Sequence, residues 1–111
     1  MTWPEYPKGT MERVVPAIYA TLYPCMVEAA RELGYAVALH GSLVRDMDVI
    51  AIPWMPDAAS TLELATAVRD SIGGVFAPGP PCMKPHGRQV FTILLDGPLF
   101  VDLGVMPLRP D

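Results

Sequence analysis

The stretch Ala38-Leu39-His40-Gly41-Ser42-Leu43-Val44-Arg45-Asp46-Met47-Asp48-Val49-Ile50-Ala51-Ile52 decides how the chain folds. Two short apolar runs flank a Gly-Ser turn, and runs of this kind bounded by turn residues predict strands, here Tyr35 to His40 and Met47 to Pro53. The link between them is too short for a crossover, so the two should pair antiparallel. Side chains alternate faces along an extended chain, which puts Asp46 and Asp48 on one side of the second strand. Two unit charges about 4 Å apart repel by roughly 1 kcal/mol in water and roughly 4 at an effective dielectric of about 20. A divalent cation between them relieves that cost, and aspartates are hard oxygen donors suited to Mg2+ or Mn2+. The competing reading is a solvated strand start in which Arg45 and an exposed edge relieve the repulsion.

A third carboxylate, Asp102, stands in Leu99-Phe100-Val101-Asp102-Leu103-Gly104-Val105. An aspartate central to such an apolar strand needs a partner, either a metal site or a salt bridge to Arg88 or Lys84. Gly41-Ser42 reads equally as a plain hairpin turn and as amides and a hydroxyl facing a phosphate. His40 reads as a packed strand-end residue ahead of a catalyst, and Trp54 as an aromatic closing the sheet edge ahead of a base-stacking one. Lys84, His86 and Arg88 alternate through a proline-rich stretch, a local basic cluster that would supply cations opposite the carboxylates if the loop folds over them. The alternative is a solvated loop whose charges only balance the acidic groups.

Around this centre the elements follow in order. Residues 1–9 form an irregular arm whose Trp3 and Tyr6 pack onto the domain. From Thr10, a possible cap, to Leu33 the spacing of Val14, Ile18, Leu22, Met26 and Ala30 gives a helical stripe stopped by Gly34. Pro16 and Pro24 predict a kink in it or a split into two helices. Ser60, Thr61 and Glu63 supply a capping box ahead of a helix to Ile72, with Leu62, Ala65 or Thr66, Val68 or Arg69, and Ile72 as its apolar face. Ala77 to Arg88 reads as a long irregular loop, and Gln89 to Leu95 with Leu99 to Met106 as a hairpin turning at Asp96-Gly97. The expected fold is α+β, a small mixed or antiparallel four-stranded sheet covered by helices.

The length of 111 residues suits one domain, residues 1–111, with a single core. With 51% hydrophobic and 18% charged residues the chain is a globular one rather than a disordered one. A net charge of −4 argues against an extended nucleic-acid surface, although local basic residues can still hold a nucleotide. Cys25 and Cys82 lie in no metal-ligand spacing and read as free thiols of a reducing cytoplasm. Neither a signal segment nor an apolar run long enough for a membrane span is visible, so a cytoplasmic location is expected.

At Gly41-Ser42, Asp46-x-Asp48 and Asp102 the chain resembles the nucleotidyltransferase superfamily, the polymerase-beta-like fold. The block His40-Gly41-Ser42 with Arg45-Asp46-x-Asp48-x-Ile50-Ala51-x-Pro53-Trp54 also resembles small phage-encoded proteins. The resemblance covers roughly residues 35–106 and implies a minimal fold of that type, with Asp46, Asp48 and Asp102 as catalytic residues and as ligands of Mg2+ or Mn2+. It implies a nucleoside triphosphate as substrate, contacted by Gly41, Ser42, Arg45, Lys84, His86 and Arg88, with an unspecified acceptor and a protein partner or homodimer left open. The chain departs from the superfamily pattern in one place: only Leu43, Val44 and Arg45 separate the Gly-Ser from Asp46, which shortens the segment that seats the triphosphate. That favours a non-catalytic module binding a nucleotide or protein, whereas the third carboxylate favours a transferase or, using water as nucleophile, a phosphodiesterase.

Overall fold

A computed structural model describes residues 11–41, 43 and 46–108, and side chains from residue 16 onward. The arm with Trp3 and Tyr6, the Thr10 cap, Val14 as a stripe residue, and Ser42 and Arg45 lie outside what is described. Helix α1 (Met11–Glu32) is followed by strands β1 (Tyr35–His40) and β2 (Met47–Pro53), then helix α2 (Thr61–Ser71). Two short strands, β3 (Val75–Phe76) and β4 (Cys82–Met83), precede a 3-10 turn at Pro85–Gly87 and the strands β5 (Gln89–Leu94) and β6 (Phe100–Val105).

The strands form one mixed sheet in the order β1-β2-β6-β5-β3, with β4 also paired to β5. β1 and β2 are antiparallel, as the short link dictates, and β5–β6 is the expected hairpin. The joint between the two hairpins is parallel: β6 lies beside β2 with Asp102 opposite Asp48. The α+β class and mixed sheet agree with the minimal arrangement that the sequence resemblance implies.

Alternation sorts the sheet into two unlike faces. Met47, Val49 and Ala51 of β2, Val101, Leu103 and Val105 of β6, and Phe91 and Ile93 of β5 are buried on one face. Tyr19, Met26 and Ala30 of α1 and Leu64, Ala65 and Val68 of α2 join them in a single core, so both helices cover that face. The Tyr23 hydroxyl donates to the Val37 carbonyl at 2.8 Å and the Tyr35 hydroxyl to the Ala59 carbonyl at 2.7 Å, which ties α1 to β1 and β1 to the approach to α2. The opposite face carries His40, Asp48, Asp102 and Thr92 as one row across β1, β2, β6 and β5.

Four expectations need correction. The sheet has six strands rather than four, because β3 and β4 flank β5 on its outer edge. β4 lies inside the stretch read as irregular: Cys82 and Met83 are not prolines, so they can pair with Val90 and Gln89, and the Lys84 amide closes the turn on the Arg88 carbonyl at 2.8 Å. Helix α1 is one helix through Pro16 and Pro24 rather than two, since burying Tyr19, Met26 and Ala30 along it offsets the lost backbone bonds. On α2 the buried side chains are Leu64, Ala65 and Val68, while Leu62 is 63% exposed. The Ser60–Glu63 capping box forms as read, with the Glu63 amide donating to the Ser60 hydroxyl at 3.2 Å.

Candidate metal centre

The parallel pairing creates the site. Asp48 and Asp102 are cross-strand partners on the face without helices, and Asp46, one residue before β2, projects to the same side as Asp48. One carboxylate oxygen from each of Asp46, Asp48 and Asp102 lies within 4.8 Å of the other two. All three side chains are half-buried. Burial, and then the Asp46 charge, push the Asp48 carboxyl above the usual carboxylate range; Asp102 adds to the rise, while His40 and Arg88 oppose it. Among the described residues the ion pairs are Arg31 with Glu28 and Arg69 with Asp70, neither of which touches the cluster.

Three hard oxygen donors at this spacing, uncompensated by an ion pair among the described residues, fit a divalent cation of the Mg2+ or Mn2+ kind. The surroundings support the donors. The Thr92 hydroxyl donates to Asp102 Oδ1 at 2.8 Å, fixing that carboxylate and leaving its second oxygen for other work. Gly41, at φ 91°, brings the end of β1 against Asp48: a side chain there would place its Cβ 3.2 Å from Asp48 Oδ2. Beneath the row, the buried Tyr19 hydroxyl accepts the Phe100 amide at 3.2 Å and fixes the start of β6. Burial, with the Asp46 and Asp102 charges, raises the Tyr19 pKa against the lowering effect of that amide.

Of the residues singled out in the sequence, Asp46, Asp48, Asp102, Gly41 and Arg88 come together. Ser42 and Arg45 are outside the described residues. Lys84 and His86 are exposed on the turn before β5, with no side-chain hydrogen bond or ion pair among the described residues. Asp102 takes Thr92 as its partner, and no ion pair links it to Arg88 or Lys84. His40 is exposed at the end of β1, beside Asp48 rather than packed, and Trp54 is 63% exposed. Sequence reading passed over Thr92, Tyr19 and Gly104. Thr92 and Gly104 carry only the face alternation as a signal, and Tyr19 none. A largely apolar groove of about 280 Å³ at the β5 edge of the sheet is walled by Leu62, Phe76, Pro78, Pro81, Val90 and Phe91 and reaches Thr92.

No family model and no curated protein matches the chain, and the likeness to phage-encoded proteins finds no support among them. Among solved structures it is similar to a cytoplasmic RNA terminal U-transferase, with 16% identity and a TM-score of 0.46 over 91% of this chain. It is similar also to Cid1, described by its RNA terminal uridylyl transferase activity, with 15% identity and a TM-score of 0.47 over 91% of this chain. The chain spans 30% and 31% of the lengths of those two. At these values the likeness carries no weight for function. No helix among the described residues is long and apolar enough to cross a membrane.

Proposed function

We propose that the chain is a metal-dependent nucleotidyltransferase that moves a nucleotide from a nucleoside triphosphate to an acceptor hydroxyl. The observation that carries this reading is the convergence of Asp46, Asp48 and Asp102 within ligand distance on the open face of the sheet. These three would hold Mg2+ or Mn2+, which when bound neutralises the charge that develops on the transferring phosphate. The acceptor oxygen bonds to the α-phosphorus while the bond from that phosphorus to the pyrophosphate oxygen breaks, and pyrophosphate leaves. The hydroxyl proton passes to the oxygen of Asp102 that Thr92 does not engage. Thr92 holds that carboxylate in one orientation, so its acceptor oxygen is positioned before substrate arrives. Gly41 contributes by lacking a side chain, which leaves Asp48 Oδ2 room.

A second reading, a nucleotide-binding module without turnover, draws on the short link between Gly41 and Asp46. Incubation with α-labelled nucleoside triphosphates, Mn2+ and mixed RNA, sugar and protein acceptors separates the two. The transferase reading expects label on an acceptor together with released pyrophosphate, and loss of both in Asp102→Asn. Manganese-dependent triphosphate binding without label transfer or pyrophosphate would establish the module instead, and release of nucleotide to water alone would establish a hydrolase.

A further inference from the structure

Gly104 sits inside β6, two residues after Asp102, and so on the carboxylate face. No turn or positive φ requires a glycine there, and a glycine inside a strand costs roughly 0.5–1 kcal/mol against alanine. Such a residue marks a place where something must approach the backbone closely. Here it is Arg88. A Cβ on Gly104 would lie 2.9 Å from Arg88 Nη1, 3.1 Å from Cδ and 3.5 Å from Cγ. The arginine stem therefore lies against the bare backbone of β6 at Gly104, which is buried. Among the described residues the guanidinium forms no side-chain hydrogen bond or ion pair.

We propose that Gly104 is a positioning residue that seats Arg88 as the phosphate-contacting cation of this site, aimed at the non-transferred phosphates of a triphosphate. The proposal rests on the transferase reading for the identity of the anion. A planar guanidinium matches phosphate oxygens two at a time, and laying it on a flat strand fixes its plane before the ligand arrives. An ammonium on a free lysine stem would supply the charge without that plane.

The test titrates the full chain with Mn2+ alone, then with inorganic tripolyphosphate in the presence of Mn2+, in wild type, Gly104→Ala, Arg88→Ala and the double variant. The clash in Gly104→Ala is with the far end of a flexible side chain, so the fold should hold, as a thermal melt will report. Manganese affinity should change less than threefold in every variant, because the carboxylates are untouched. Tripolyphosphate affinity should fall about tenfold or more in each single variant, and the double should be no weaker than Arg88→Ala, since the two residues act as one unit. Wild-type affinity in Gly104→Ala, or losses that add in the double, would overturn the proposal. Should Gly104→Ala fail to fold, Arg88→Lys takes its place, with a similar loss supporting the seated fork and full retention overturning it. A wild type that binds Mn2+ but not tripolyphosphate sinks the proposal and spares the metal site, whereas one that binds neither sinks both.

Discussion

Replacing Asp48 by asparagine should stabilise the metal-free protein and at the same time abolish its response to metal. Asp48 accepts no side-chain hydrogen bond among the described residues, so the substitution removes a charge and little else. That charge faces Asp46 and Asp102 with ligand oxygens no more than 4.8 Å apart. At that spacing one pair repels by about 3.5 kcal/mol at an effective dielectric of about 20 and by about 0.9 in water. Half-burial puts the site between these limits and solvent screening discounts the larger one. Relief should therefore amount to about 1–2 kcal/mol, or roughly 4–8 °C in Tm for a domain of this size. Thermal unfolding in chelator should show Asp48→Asn melting above wild type. Added Mn2+ at a hundredfold excess over Kd should raise wild type by about 2.7 kcal/mol and the variant hardly at all, so the order of the two curves reverses. An Asp48→Asn protein that melts lower in chelator would mean that the carboxylate serves the fold, and equal gains with Mn2+ would mean that no ion depends on it.

Three further outcomes follow from the same geometry. Thr92→Val, which removes the donor to Asp102 Oδ1 and keeps the branched shape, should weaken Mn2+ binding about tenfold in calorimetric titration while leaving Tm within about 2 °C. Gly41→Ala should cost about 1–2 kcal/mol in denaturant unfolding because of its positive φ, and should also reduce Mn2+ affinity by pressing on Asp48. Tyr19→Phe removes the acceptor of the half-buried Phe100 amide and should cost about 1 kcal/mol, read in the same unfolding assay.

What could be read from sequence was what local chemistry decides. β1 and β2 have the bounds that alternation and the Gly-Ser turn impose, and Ser60 caps α2 because its hydroxyl lies three residues before a glutamate. The Asp46-x-Asp48 pairing on one face follows from the period of a strand. The rest depends on partners distant in sequence. Leu62 reads as a core residue of α2 and Leu64 does not, and only the sheet, which α2 covers with Leu64, reverses the two. The prolines of α1 leave a kink or a split open, and the burial of Tyr19 and Met26 against the sheet is what keeps the segment one helix. Thr92 and Gly104 are unremarkable in their own segments; they gain meaning once β5 and β6 lie side by side and β6 is laid along β2.

The pairing of β2 with β6 also bears on the order of events in folding. β1 meets β2, and β5 meets β6, across short links, so each hairpin closes at little entropic cost; joining the hairpins requires a much longer loop to close around α2. A cation shared by Asp48 and Asp102 can act only after that closure. If the two hairpins dock late, past the folding barrier, the ion leaves the folding rate where it is and holds the finished molecule shut, lengthening its life against unfolding.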